Sequence, residues 1–160
     1  MVKVHITPKE ADLRVESAVQ LFKEGYNCSQ SVVGAFADLY GFTQEQALLM
    51  SASFGGGIGR MRQTCGAACG MFVLAGLQSG TTIGSDREGK SRNYAMVQQL
   101  AESFKQINGS IICAELLGLK SNAEITAQAS ERTDSYYKKR PCSEMVRTAA
   151  RLFANAISQD

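Results

Sequence analysis

Apolar residues recur every three to four positions along most of this chain, which is the spacing of amphipathic helices. Clear stripes of this kind cover residues 13–22, 32–40, 94–104 and 146–157. Alternation of apolar and polar residues, typical of a half-buried strand, is missing, and the short apolar run at residues 2–6 is the sole strand candidate. The pattern predicts an all-α fold.

Helix-capping residues divide the chain into about six to seven helices, which we expect to form a single domain over residues 1–160. The predicted starts are Thr7, Asn27, Thr43, Thr64, Ser85, Ser110 and Pro141. Glycines follow the predicted helices and end them, as Gly25 and Gly41 do. Residues 119–140 are the least regular segment, with one helix expected around 123–131.

The fourth predicted helix, residues 64–79, is almost wholly apolar from 66 to 77. A helix that is apolar all round is expected to lie at the centre of the bundle. Gly66 and Gly70 lie one turn apart in it and would allow another helix to approach closely.

The amino-acid composition excludes several classes of function but does not indicate a single one. A net charge of +2 is too small to indicate a nucleic-acid or anionic-membrane partner. The longest apolar run is too short to span a membrane, and the first ten residues lack the apolar segment of a signal peptide. The expected location is therefore cytoplasmic, where five cysteines are not a permanent disulfide framework.

Four widely spaced cysteines are the candidate functional residues: Cys28, Cys65, Cys113 and Cys142. Each falls in the first turn of a predicted helix, where unpaired N–H groups and the helix dipole favour a thiolate. We therefore expect lowered pKa values and reactive thiols. The fifth, Cys69, lies one turn after Cys65 and is expected to be a packing residue.

Basic residues precede two of these cysteines and are expected to favour their thiolates further. They are Arg60 and Arg62 before Cys65, and Lys138, Lys139 and Arg140 before Cys142.

The same four cysteines are also candidate ligands for zinc or an iron–sulfur cluster. The close pairs typical of such sites, for example C-x-x-C, do not occur. His5 is the only histidine and lies in an N-terminus expected to be frayed, which argues against a His-ligated metal or a His-based triad.

A glycine-rich loop precedes Cys65 and contains the candidate cofactor-binding residues Gly55, Gly56, Gly57 and Arg60. It fits neither common phosphate-binding motif. The favoured interpretation is a tight turn that positions Cys65, and the alternative is that its N–H groups and Arg60 hold an anionic substrate or a thiolate.

Two adjacent tyrosines, Tyr136 and Tyr137, lie beside the basic run before Cys142. We expect them to anchor that segment as partly buried side chains. The alternative is that they close over Cys142.

These motifs together resemble a known family. The segment CGAACG at residues 65–70 fits C-G-A-x-x-G, and it follows Asn27-Cys28 and the loop FGGGIGR at 54–60. It is followed by CAELLG at 113–118 and by Pro141-Cys142. This order, across residues 15–157, resembles the C_GCAxxG_C_C family, whose redox role is inferred from its cysteines.

The resemblance implies that Cys28, Cys65, Cys113 and Cys142 are the four cysteines of that family, and that Cys69 occupies a variable position. It also implies a small bacterial or archaeal protein, often encoded near transporter genes.

Three hypotheses follow, in order of preference. The first is thiol–disulfide exchange or electron transfer with a redox partner. The second is a cysteine-ligated metal or iron–sulfur site. The third is a non-catalytic helical module that binds a partner such as a transporter component.

Overall fold

The all-α prediction is confirmed. The computed structural model describes residues 3–158, which contain eight α-helices. They are α1 (Pro8–Lys23), α2 (Cys28–Gly34), α3 (Gln44–Ser51), α4 (Gly66–Ser79), α5 (Arg87–Asn108), α6 (Cys113–Leu116), α7 (Asp134–Lys139) and α8 (Cys142–Ile157). Two short 3-10 helices, Ala37–Tyr40 and Ala52–Phe54, follow α2 and α3.

Helix α4 lies at the centre, packed against α2, α5 and α8, while α1 covers α2 and α8. Its first six residues, 66–71, are all buried, as the apolar run predicts. In the later turns, half-buried residues such as Phe72 and Val73 appear on one face, so burial on all sides holds for the first part of the helix. The buried start of α4 is the part that carries the C-G-A-x-x-G motif.

The close approach of α2 and α4 depends on Gly70, as predicted. A Cβ atom at Gly70 would lie 3.0 Å from the carbonyl oxygen of Ser29 and 3.1 Å from the Cβ of Val32. Without a side chain there, α2 and α4 pack backbone to backbone, and the start of α2 is held beside the start of α4.

Side-chain caps form at three of the predicted helix starts. Thr7, Asn27 and Thr43 each accept a hydrogen bond from the N–H three residues later. For α5, the cap is Asp86 rather than Ser85, and its carboxylate accepts from Gly89 N–H at 2.8 Å.

Two other predicted starts are wrong by one to three residues. Helix α4 follows Cys65 rather than Thr64, and α6 begins at Cys113 rather than near Ser110. The reason is an isolated antiparallel bridge between Thr64 and Ile112, which keeps both segments extended.

The predicted helix at 123–131 is wrong. Residues 121–129 are exposed and irregular, and the regular segment lies further on, at α7. The guanidinium of Arg60 donates hydrogen bonds to the carbonyl oxygens of Thr126 and Gln128, which a helix would need for its own N–H groups. An exposed segment also gains little from burying an apolar face.

Two smaller expectations also fail. Ile6 is buried and pairs with Ser158, so residues 3–6 are packed against the end of α8 rather than frayed, although His5 itself is exposed. Val2, part of the strand candidate, lies outside the described residues. Tyr94 of the α5 stripe is 60% exposed, whereas Phe104 is buried.

No helix in residues 3–158 combines the length and the apolar character needed to cross a membrane.

Candidate thiol site

A short antiparallel pairing places Cys65 and Cys113 beside the same bridge, between Thr64 and Ile112. The N–H of Cys65 donates to the carbonyl oxygen of Ile111 at 2.6 Å, and the N–H of Cys113 donates to that of Gln63 at 2.7 Å. These bonds flank the Thr64–Ile112 bridge. Helices α4 and α6 begin immediately after these paired segments, so their N-termini lie at a common junction.

The first residue of α2, Cys28, is held by its neighbour Asn27. The Asn27 side chain accepts from Gln30 N–H at 2.9 Å and donates to the carbonyl oxygen of Ala52 at 2.9 Å. The Gln30 amide returns the capping bond to the Asn27 N–H at 3.1 Å. Asn27 thus caps α2 and ties it to the segment after α3, which fixes the position of Cys28.

Glycines leave the space that Cys28 and Cys113 occupy. A Cβ atom at Gly66 would lie 2.5 Å from the Sγ of Cys28, and one at Gly57 would lie 2.5 Å from the Cβ of Cys113. Gly55 similarly leaves room for Asn27, whose amide would be 2.5 Å from a Cβ there. The glycine-rich loop is therefore packed directly on the candidate site residues.

The loop also has an unusual backbone. All five residues from 56 to 60 have positive φ angles, and Arg62 follows at +61°. Left-handed backbone costs about 1–2 kcal/mol for each residue other than glycine, and Ile58, at +64°, is β-branched. Backbone bonds such as Gln63 N–H to the Gly57 carbonyl at 2.9 Å stabilise the turn. Such strain concentrates at functional sites.

The fourth cysteine, Cys142, is the first residue of α8, directly after Pro141. It is half-buried, whereas Cys28, Cys65 and Cys113 are 5–9% exposed. All five cysteines are free thiols.

The structure brings the four predicted cysteines together. Cys28, Cys65, Cys113 and Cys142 all line one cavity of about 60 Å³, with Phe22, Tyr136 and Met145 among its apolar walls. Cys69 does not line this cavity, and its thiol donates to the carbonyl oxygen of Thr64 at 3.7 Å.

The predicted fall in thiol pKa is wrong for three of the four. Burial raises the pKa of Cys28 and Cys65, and it raises the pKa of Cys142 to about 11. Nearby thiols add to the effect, while the N–H of Gly56 at Cys28, and those of Ala67 and Ala68 at Cys65, oppose it. The cost of removing a thiolate from water exceeds the benefit of the helix N-termini.

Sequence reasoning missed Arg132. Its guanidinium lies 4.3 Å from the ring centroid of Phe22 and 4.9 Å from that of Tyr136, and it donates to the carbonyl oxygens of Phe22 and Tyr26 at 3.0 Å. Nothing in the sequence indicates this contact, because residues 22 and 132 are far apart and meet only in the folded chain.

The two adjacent tyrosines have different places. Tyr137 anchors α7, with its hydroxyl donating to the carbonyl oxygen of Lys23 at 3.2 Å, as expected. Tyr136 instead lines the cavity together with Cys142, which was the alternative. Arg140 stacks on Tyr136 with 5.1 Å between its guanidinium carbon and the ring centroid.

Only some of the basic residues that precede the cysteines line the cavity. Arg62 lines the cavity and donates to the Sγ of Cys113 at 3.7 Å, and Arg140 lines it too. Lys138 and Lys139 are exposed and do not line it.

The arrangement does not fit a preformed metal centre. Across residues 3–158, no three His, Cys, Asp or Glu side chains are grouped closely enough to hold one metal ion. The cysteines share a cavity, but they surround it instead of converging on one point, so we derive no step through zinc or an iron–sulfur cluster.

Comparisons with known proteins agree with the motif. A family model described as "Putative redox-active protein (C_GCAxxG_C_C)" matches residues 26–156. An uncharacterized protein of Archaeoglobus fulgidus is 25% identical over 158 residues, which cover 93% of this chain and 96% of that relative. No solved structure matches. The family match spans most of the chain and all four cavity cysteines, so the chain belongs to the C_GCAxxG_C_C family.

Proposed function

We propose that this protein carries out thiol–disulfide exchange, with Cys142 as the attacking thiol and Cys28 as the resolving thiol. The observation that carries the proposal is that thiols at the starts of four separate helices line one small cavity. A cluster of this kind gives a substrate disulfide several thiols to exchange with, and cysteine packing alone would not require it.

Cys142 is the thiol best placed to meet a substrate. It is more exposed than the other three, it lies at the N-terminus of a sixteen-residue helix, and Arg140 and Arg132 favour its thiolate. The thiolate would attack one sulfur of a disulfide RSSR. A bond forms between Cys142 and RS, the S–S bond of the substrate breaks, and RS⁻ leaves and takes up a proton.

Cys28 is the thiol best placed to resolve this mixed disulfide. It lies in the same cavity, and among the charges that raise the Cys142 pKa, that of Cys28 is the largest. Its thiolate would attack Cys142 Sγ, which forms the Cys28–Cys142 disulfide and releases the second RS⁻. The substrate gains two electrons and the protein dithiol loses them.

Cys65 and Cys113 would form a second dithiol in the same cavity. The paired segments hold both beside the Thr64–Ile112 bridge, and the charge of Cys113 raises the pKa of Cys28, Cys65 and Cys142. We propose that they exchange with the Cys28–Cys142 disulfide, which regenerates the outer thiols. A dithiol partner would then return two electrons, as the reducing environment of the cytoplasm allows.

The test uses a neutral disulfide, bis(2-hydroxyethyl) disulfide, with the fully reduced protein. We expect the wild type to lose two thiols and release two equivalents of mercaptoethanol, which intact mass spectrometry detects. In Cys28→Ala the reaction should stop with one mercaptoethanol bound to Cys142, because the resolving thiol is missing.

Two variants complete the test. Cys142→Ala should react at least about tenfold more slowly, and Cys69→Ala should behave as the wild type does, because Cys69 lies outside the cavity. Equal rates in the wild type and Cys142→Ala would refute the assignment of the attacking thiol. If no thiol reacts in the folded protein, thiol exchange is not its function.

A further inference from the structure

A second, larger cavity of about 430 Å³ adjoins the thiol cavity and is itself partly open to solvent. The two share six lining residues: Asn27, Gly56, Arg62, Arg132, Tyr136 and Arg140. The inner cavity is several times smaller than the outer one, which has the size of a small-molecule site. A substrate that reaches Cys142 would place most of its atoms in the outer cavity.

The charged residues that line this outer cavity are all basic. Arg60, Arg62, Arg132 and Arg140 all line it, and no Asp or Glu of residues 3–158 does. None of the four forms an ion pair within that part of the chain, whereas Arg14, Arg147 and Arg151 elsewhere each pair with a carboxylate. The chain carries almost equal numbers of acidic and basic residues, so this grouping is local.

Two of the four arginines have structural contacts. Arg60 binds the segment 126–130 through Thr126, Gln128 and Ser130, and this segment forms a wall of the outer cavity. Arg132 is held by the carbonyl oxygens at the end of α1 and by the Phe22 ring.

The other two retain most of their donors. Within residues 3–158, the Arg62 guanidinium donates only to the Cys113 thiol, and the Arg140 guanidinium rests on the Tyr136 ring without a hydrogen bond. A guanidinium offers five N–H donors in a geometry that matches a carboxylate.

We infer that the substrate of the thiol site is a small disulfide carrying carboxylate groups, with Arg62 and Arg140 as the residues that bind them. The inference rests on the proposed function, since it names the class of disulfide that the same site accepts. Bringing four like charges together is unfavourable unless an anion offsets it. An anionic substrate would supply that charge and would present its disulfide to Cys142 at the boundary of the two cavities.

The experiment compares two aromatic disulfides that both report by absorbance. One is 5,5'-dithiobis(2-nitrobenzoate), which carries two carboxylates, and the other is 4,4'-dithiodipyridine, which is neutral at pH 8. The measured quantity is the ratio of their rate constants with reduced protein. A change in the pKa of Cys142 alters both rates alike, so the ratio reports recognition of the carboxylates.

We expect the ratio to fall at least about fivefold in Arg140→Gln and in Arg62→Gln, and further in the double variant, because a positive cleft raises the local concentration of an anion. Arg140→Lys should retain most of the ratio. The matched control is Arg92→Gln, which removes an arginine that lines neither cavity. Its ratio should remain within about twofold of the wild type.

An unchanged ratio in Arg62→Gln and Arg140→Gln, with both reagents reacting, would overturn this inference and leave thiol exchange intact. If neither reagent reacts with the folded wild type, thiol exchange itself fails, and the inference fails with it. Circular dichroism confirms that each variant is folded, and Arg140→Lys separates loss of charge from loss of packing.

Discussion

Replacing Gly66 by alanine tests how tightly the Cys28 thiol is packed against the start of α4. The added Cβ would lie 2.5 Å from the Sγ of Cys28 and 2.6 Å from the carbonyl oxygen of Phe54. Relief requires shifts of about 1 Å, and one of the obstructing atoms belongs to the backbone. Overpacking of this kind costs about 1–3 kcal/mol, so we expect the free energy of unfolding to fall by about 2 kcal/mol.

Gly76 provides the matched control in the same helix. A Cβ at Gly76 would meet no atom within 4 Å, so Gly76→Ala should raise the free energy of unfolding by about 0.5–1 kcal/mol through helix propensity. The two alanine variants should therefore differ by about 3 kcal/mol in urea titrations. If Gly66→Ala is as stable as Gly76→Ala, Cys28 does not pack on α4 as described.

Two further predictions concern ionisation. Because burial raises the Cys142 pKa to about 11, its alkylation by iodoacetamide, followed by peptide mapping, should accelerate about tenfold per pH unit from pH 7 to 10. An inflection near pH 8.5 would contradict that burial effect. Separately, the hydrogen-bonded Arg14 guanidinium lowers the Asp38 pKa, so this pair stabilises the fold above pH 4 and is lost as the pH falls through the lowered value. In Arg14→Gln, urea titration should give about 1 kcal/mol less stability at pH 7 and a smaller further loss between pH 4 and pH 2, with Arg92→Gln as the control. Equal acid sensitivity in the wild type and Arg14→Gln would refute the role of that pair.

The helices were predictable where local chemistry decides them. The cap residue Asn27 with Gln30 and the cap residue Thr43 with Gln46 form reciprocal hydrogen bonds within four residues, so their signals lie in the sequence itself. The starts of α4 and α6 were not predictable, because the Thr64–Ile112 bridge between distant segments keeps the chain extended there.

Some features of the candidate site were likewise predictable from the sequence, and others were not. The cysteines and the glycine loop have a sequence signature, and the position of Cys28 at the start of α2 followed from the cap residue Asn27. Burial of the thiols did not follow, since it comes from Phe22, Tyr136 and Met145, which lie on three different helices. For the same reason, the direction of the pKa shift was predicted wrongly, and Arg132 could be found only in the folded chain.

The tyrosines beside α7 show how a local pattern can be ambiguous. Both follow the same cap, Thr133, and precede the same basic run, but Tyr136 faces the cavity and Tyr137 contacts the end of α1. Adjacent residues on a helix point about 100° apart, so one anchors while the other lines the site. The sequence indicates both roles without assigning them.

The most direct test of the account is disulfide mapping in the folded wild-type protein after reaction with one equivalent of bis(2-hydroxyethyl) disulfide. Peptide mass spectrometry under acid quench would identify the linked cysteines. The account predicts one intramolecular disulfide per chain, between Cys28 and Cys142 at the earliest times, with Cys69 remaining a thiol. A first disulfide that includes Cys69, or linkage only between separate chains, would contradict it.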